Sequence, residues 1–564
     1  MRAHLSRHVT RLLPYALILS FAAWSLHAMA KSGMMATHDG LWHVQRTAEM
    51  FAMLRVGQFP VRWAVNLDNG FGIPLFTFVY PLPYYLSALL MYAHISPIAS
   101  LKIVAIAFYM LGGLGMYQMF KKKSSLLALV AAVVYLVTPY QLVNIFVRGD
   151  IGETMVLGLA PWVLVSLRRL QDEGKFRWYY VIPLALALLA HNFLGMILAA
   201  AALIYVVVRN IKRIKLPLMA IAISLALSAF FWVPMVGESG LLLSNATHNY
   251  TFVWSDHFVC PWQLVYSKWD YWYSMPGCDK DGFTFQLGFA NIAAILGSLV
   301  ASVFLWKKFS ARARRIRAMW IAAAALVTLM MVPAGIFIWR LVPVLQIMQF
   351  PWRLLAVMAF VTSMMAGYFL TDVRKQYPRA AIFFAGCFIV LALVNTRNYH
   401  DPIRTLSPAD FAEQNRLFAD RTTTSIRDEV VPYWAPVVRW KSENNTRLVT
   451  PYFGMQQGAA QIHTATDTGL SLTFTAFGEN DHATAIYYKN YFPSWQATVD
   501  GKPLTLAPTP TGEILIHLLQ GEHTYHVWVG STPLETMANW LSVLSGTVLI
   551  GMAIYEYTRK NTTR

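Results

Sequence analysis

Within 25 residues the chain sets one acid between two histidines, His38, Asp39 and His43, and follows them with Arg46, Arg55 and Arg62. A carboxylate in such company can take a proton from an acceptor hydroxyl or amine, or hold a metal. Asp39 also precedes the helix-like run Leu41 to Arg55, and N-capping is its alternative use. A second group, Arg148, Asp150 and Glu153 in VRGDIGET, crowds three charges into six residues. Beside lipid such charges are costly unless they line a polar cavity. Asp150 or Glu153 could complete an acidic site with Asp39, or simply cap a helix and pair with Arg148. Arg62 in PVRW and Arg353 in QFPWR each adjoin a tryptophan. Guanidinium grips phosphate through two parallel hydrogen bonds, although Arg and Trp also anchor chains at lipid headgroups. His191, and Glu238 just after FFWVP, are further candidates for binding substrate, with His43 and Arg148. Asp39 and Asp150 are the candidate ligands for a divalent cation such as Mg or Mn. The Asp-x3-His spacing of Asp39 and His43 is a weak metal pattern.

The elements that must carry these residues are membrane helices. Of 564 residues 56% are hydrophobic and 13% charged, against about 25% charged in average soluble domains. Apolar runs near twenty residues recur along the chain, and in a bilayer such runs must be helical. The net charge of +18 invites a nucleic-acid partner, but its distribution excludes one. Short clusters between apolar runs, together with both termini, hold 26 of the 46 basic residues. They are Lys121–Lys123, Arg168–Arg177, Arg209–Lys215, Lys307–Arg317, Arg374–Arg379 and the two ends. This is the positive-inside pattern, and it puts those loops and both termini in the cytoplasm.

The expected fold class is a polytopic α-helical membrane protein of about twelve spans, with an extracytoplasmic β-sandwich-like domain before the last helix. Expected spans are 12–30, 100–120, 125–143, 154–168, two short ones between Trp178 and Val208 with a break near His191, 216–236, 287–306, 319–338, 352–371, 380–397 and 534–556. The first, after Arg2, Arg7 and Arg11, is read as an uncleaved helix rather than a signal peptide. Residues 1–398 then form the transmembrane domain with a large first outer loop, 31–99. Its end, Tyr80 to Ile95, is broken by prolines and does not span. Residues 399–533 are the β domain, and 534–564 an anchor with a basic tail. Strands are predicted at Ala485–Tyr488, Trp495–Val499, Pro503–Leu506, Ile514–Leu518 and Tyr525–Val529, with hairpin signals at Asp500-Gly501 and Gly521. Cys260 and Cys278 share an outer loop and could pair in an oxidising compartment.

The stretches HDGLWHVQRTAEMFAMLRVGQFPVRW, NGFGIPLF, YPLPYY, TPYQLVNIFVRGDIGE, FFWVP, QFPWR, NYFPSWQATVDGKPL and GEHTYHVWV resemble a bacterial family of multipass proteins labelled 6-pyruvoyl-tetrahydropterin synthase-related. The label is not an activity, since pterin synthases are small soluble enzymes with a zinc-binding histidine set that this sequence lacks. The wider arrangement resembles GT-C glycosyltransferases, which take sugar from a polyprenyl-phosphate or polyprenyl-diphosphate carrier. That resemblance implies an inner-membrane enzyme working at the outer face of the bilayer. Asp39 would be the first-loop acid, Asp150 or Glu153 the second, and Arg62, Arg148 or Arg353 would hold the phosphate. The alternative is a non-catalytic lipid or polysaccharide exporter, or an envelope assembly factor, using the same cavity. Transporters commonly show internal repeats and charges at mid-membrane, and this sequence shows no convincing repeat. Sugar, acceptor and oligomeric state are not written in the sequence.

Overall fold

The computed structural model describes residues 2–68, 70–247, 253–277, 280–406, 409, 430–435, 453–457, 460–480 and 482–562. Cys278 lies outside them. Cys260 is disulfide-bonded and Cys387 is free.

The chain opens with α1 (Arg2–Ser25), α2 (Gly40–Arg55), α3 (Leu75–Phe78), α4 (Leu82–Tyr92) and α5 (Pro97–Phe120). Then come α6 (Ser125–Leu136), α7 (Pro139–Val143), α8 (Ile151–Glu173), α9 (Ile182–Ala190), α10 (Asn192–Asn210), α11 (Lys215–Leu227) and α12 (Ala229–Gly237). After α13 (Leu243–Thr247) follow α14 (Phe289–Leu305), α15 (Ala311–Met331), α16 (Ile336–Leu341), α17 (Leu355–Gln376), α18 (Pro378–Thr396) and, past the β domain, α19 (Pro533–Thr562). Among the described residues seven helices are long and apolar enough to cross a membrane, and up to ten spans result if each bent pair counts as one. The helices expected near 12–30 and just after Trp178 are present as shorter apolar helices.

Three expected straight spans are bent. Ser125–Leu136 meets Pro139–Arg148 at 47°, Lys215–Leu227 meets Ala229–Gly237 at 72°, and Ala311–Met331 meets Pro333–Leu341 at 97°. In the first and third, proline begins the second segment, because a residue without an amide proton fits only the first turn of a helix. At the second, the chain breaks at Ser228, whose hydroxyl donates back to the carbonyl of Ser224.

The spans around α8 and α17 are almost wholly enclosed by neighbours, whereas α19 lies on the outside. Helix α5 meets α8 closely at glycines: a Cβ on Gly158 would lie 2.3 Å from the Phe108 carbonyl oxygen. Small residues permit such approach where apolar burial against lipid gives little drive. Helix α8 is about 35 Å long, and its two ends differ. Near its C-terminus Asp172 pairs with Arg209 at 2.8 Å and Arg312 at 3.3 Å, gathering three basic loops. Its N-terminus carries Asp150 and Glu153.

The strands are β1 (Met34–Met35), β2 (Thr405–Leu406), β3 (Phe453–Gln457), β4 (Ala460–Asp467), β5 (Ser471–Gly478), β6 (Thr484–Asn490), β7 (Trp495–Val499), β8 (Lys502–Leu504), β9 (Ala507–Pro508), β10 (Glu513–His517) and β11 (Gly521–Val529). Two sheets, β3-β6-β10-β9 and β4-β5-β11-β7-β8, share one core in which Phe474, Tyr487, Ile514 and Tyr525 are buried. Asp500 and Gly501, both at positive φ, turn β7 into β8. Gly521 is not a hairpin turn: it pairs with Gly478 and starts β11 in the sheet opposite β10.

The segment between α1 and α5 is built into this core. Trp63 packs edge-on against Trp495 at 5.4 Å. Lys489 donates to the Gly70 carbonyl at 2.6 Å, and the Asn490 amide donates to Asp68 and to the Gly72 carbonyl. The pair β1–β2 ties the start of the same loop to the chain after α18.

Candidate functional site

Asp39 sits at the N-cap position of α2 but does not cap it. Thr37 does so instead, its hydroxyl accepting the Gly40 amide at 3.1 Å. The backbone amides of His38 and Asp39 donate to the carbonyls of Val147 and Arg148, at 3.0 and 2.8 Å. Those bonds bring the first-loop acid against the VRGDIGET segment. Gly149, at φ +70°, permits the approach: a Cβ there would lie 2.2 Å from the Thr37 hydroxyl.

Arg148 ends a π-helical turn, Asn144–Arg148, just before α8. It pairs with Asp150 at 2.9 Å and with Glu153 at 2.7 Å. It also donates to the Tyr140 hydroxyl and the Asn144 side chain, and lies over Trp352 at 4.8 Å. Asp150 caps α8 by accepting the Glu153 amide at 2.9 Å. Tyr140 donates to Glu153 at 2.9 Å. Arg353 reaches within 3.7 Å of Glu153.

His191 caps α10: its Nδ1 accepts the amides of Phe193 and Leu194, both at 3.2 Å. Its Nε2 lies 3.8 Å from Asp150 and 4.0 Å from Glu153. Tyr80 stacks on His191 and on Tyr84, whose hydroxyl bonds His43 Nδ1 at 2.9 Å and accepts from Arg46 at 3.4 Å.

Burial and then the charge of Asp150 push the Asp39 carboxyl up to about 6, with Arg148, Arg353 and Arg46 opposing. Its side chain makes no ion pair or capping bond among the described residues. Asp150 is held well below the usual carboxylate range, because Arg148 and other cations outweigh its burial. Burial lowers His38 to about 4 and His43 to about 3, so both are neutral at pH 7. His38 bonds the Tyr271 carbonyl at 2.7 Å and stacks on Tyr273, which seats that stretch of chain before α14 beside Asp39.

Of the residues singled out by sequence, Asp39, His43, Arg148, Asp150, Glu153, His191 and Arg353 come together. Arg62 and Glu238 do not. Arg62 pairs with Glu535 at 3.4 Å and donates to Asn539 and the Phe230 carbonyl. Glu238 accepts from Thr532. These contacts fasten α19 to α12 and the loop between α1 and α5, and they engage Arg62, expected as a phosphate ligand, and Glu238, expected to bind substrate. The adjoining cavity, lined by Met29, Met34, Leu101, Ile145 and Ile151 among others, is about 60 Å³. Ligand sites commonly occupy about 300 Å³ or more, and this cavity is smaller than that. Tyr80, Tyr84, Tyr140, Asn144 and Trp352 received no role from sequence, although YPLPYY and QFPWR carry three of them. Among the described residues, Asp150, Glu153 and His191 are the group whose ligand atoms converge as a metal would need, and Asp39 is not a member.

No curated protein matches this sequence. Two oligosaccharyltransferase structures from Archaeoglobus fulgidus, one apo and one tethered to an acceptor peptide containing the NVT sequon, align at 11% identity with TM-scores of 0.41 and 0.43. The alignments cover 72% and 76% of this chain, and 56% and 61% of theirs. The chain thus spans less than two thirds of those chains' length. ArnT from Cupriavidus metallidurans, apo and bound to undecaprenyl phosphate, aligns with TM-scores of 0.36 and 0.31 at 13% and 14% identity. Those alignments cover 73% and 72% of this chain, and 68% and 88% of ArnT. The model of the 6-pyruvoyl-tetrahydropterin synthase related domain, a membrane-protein family, matches residues 76–399, more than half of the chain, and the chain belongs to that family.

Proposed function

We propose that this protein is a membrane glycosyltransferase that moves a sugar from a polyprenyl-phosphate-linked donor to an envelope acceptor at the outer face of the bacterial inner membrane. The observation that carries the reading is the meeting of an uncommitted acid, Asp39, with two committed acids and three arginines contributed by separate segments. The acceptor hydroxyl gives its proton to Asp39 as its oxygen attacks the anomeric carbon. The bond from that carbon to the phosphate oxygen breaks, and the polyprenyl phosphate leaves with the electron pair. Arg353 and Arg46 face the leaving phosphate, while Arg148 holds Asp150 and Glu153 in place. An acid raised toward 6 is still mostly ionised at pH 7 and is a better base than an ordinary aspartate.

The test is complementation of a deletion strain with the wild-type gene and with Asp39→Asn, Asp150→Asn and Glu153→Gln. Each variant is checked for membrane abundance, and lipid-linked sugars are then measured. Accumulation in the Asp39→Asn strain supports transfer. Unchanged glycolipids with all three variants remove the proposal and leave a binding or assembly role.

A further inference from the structure

We infer that the Arg148 guanidinium takes the place of a divalent cation, so that the acids beside Asp39 work without a metal. The expectation of a bridging Mg or Mn rested on acids from two loops. The group with suitable spacing is Asp150, Glu153 and His191, and each member is already spoken for. Arg148 holds Asp150 Oδ2 at 2.9 Å and Glu153 Oε2 at 2.7 Å. The other Asp150 oxygen caps α8. Arg148 is only 2% exposed and is fixed further by Tyr140, Asn144 and the face of Trp352. A cation bridging the acids must displace this buried, five-way contact.

His191 cannot compensate. Its Nδ1 accepts two backbone amides, so the neutral ring carries its proton on Nε2. A protonated ring nitrogen has no lone pair for a metal. That nitrogen faces both carboxylates as a donor. One oxygen, Glu153 Oε1, is left without a hydrogen bond, with Arg353 at 3.7 Å. A single oxygen beside a second guanidinium is a poor site for a divalent ion. The positive charge that a metal would lend is therefore part of the chain and cannot be chelated.

The test is Mn²⁺ titration of the full-length protein in lipid nanodiscs, read by electron paramagnetic resonance and calorimetry. It does not depend on the transfer reaction, so it fails or succeeds apart from the proposed function. Wild type is expected to show no one-to-one Mn²⁺ site, and chelators leave its melting temperature unchanged. Arg148→Met frees both carboxylates and is expected to gain one site, which is lost again in Arg148→Met/Glu153→Gln. One-to-one binding by wild type that disappears in Asp150→Asn or Glu153→Gln overturns the inference. So does a folded Arg148→Met that binds no Mn²⁺. If Arg148→Met does not fold, the wild-type titration decides alone.

Discussion

Two buried clusters of arginine and carboxylate can be compared in this chain. Around Arg62 the charges come from the loop between α1 and α5 and from α19, and Glu238 joins them from the end of α12. Arg62 meets an acid from a distant segment, and Thr77, Asn539 and Thr532 fill much of the remaining bonding capacity. That cluster is a fastener. Around Arg148 two acids are equally committed, but a third, Asp39, lies beside them with no ion pair among the described residues and with its proton affinity raised. A group that folding does not use, kept at a cost, is available to chemistry. The same residue types thus serve cohesion in one place and reactivity in the other, and what separates them is that Glu238 is held by the Thr532 hydroxyl whereas the Asp39 side chain makes no ion pair or capping bond among the described residues.

Substitutions can break or sharpen this contrast. The largest effect is expected from Asp39→Asn, which should lower transfer by about 10²–10⁴-fold, the usual contribution of a general base, with membrane abundance unchanged. Abundance that falls with activity would make Asp39 structural. Next is Arg62→Met. Leaving Glu535 buried and unpaired should cost about 3–5 kcal/mol, seen as lost abundance and a lower melting temperature, while activity per folded molecule persists. A folded Arg62→Met without activity would move Arg62 into the site.

A third, smaller effect tests the idle acid thermodynamically. The folded-state pKa of Asp39 lies above its ordinary value of 3.8. The folded protein therefore binds the proton more tightly than the unfolded chain does. The stability this lends is present below pH 4 and is lost as pH rises through about 6. Asp39→Asn, which cannot ionise, should be more stable than wild type at pH 8 by about 1–3 kcal/mol. The gain should vanish at pH 4, as pH-dependent melting would show. The smallest effect is expected from Thr37→Ala, which removes the cap of α2 and should cost about 1 kcal/mol. Melting of the variant at neutral pH checks it.

Much of the helical framework was legible, because apolar runs bounded by basic clusters fix where spans start and stop. The bends were partly legible: Pro139 and Pro333 stand at two of them, but Ser228 gives no comparable signal. Strand β7 was read to the residue from WQATV, and its turn from Asp500-Gly501. Strand β5 was missed, although SLTFTAFG alternates between buried and less buried positions. Its small residues Ser, Thr and Ala blur the apolar signal. In the site, the candidate acids were visible as residue types in polar loops. Their meeting depends on backbone bonds between Asp39 and Arg148, and spacing along the chain says nothing of that. The pairing of Arg62 with Glu535 was hidden for the same reason, and there the local cue, an arginine beside tryptophan, pointed to the wrong role. Tyr140 was overlooked because a tyrosine in an apolar run reads as packing until its hydroxyl is seen on Glu153.

The most direct measurement is mass spectrometry of polyprenyl-phosphate-linked sugars in cells whose only copy of the gene carries Asp39→Asn at normal membrane abundance. An uncommitted base in a glycosyltransferase predicts that one lipid-linked sugar accumulates and its glycan product is lost. A lipid-linked pool and envelope glycans identical to wild type would contradict the account.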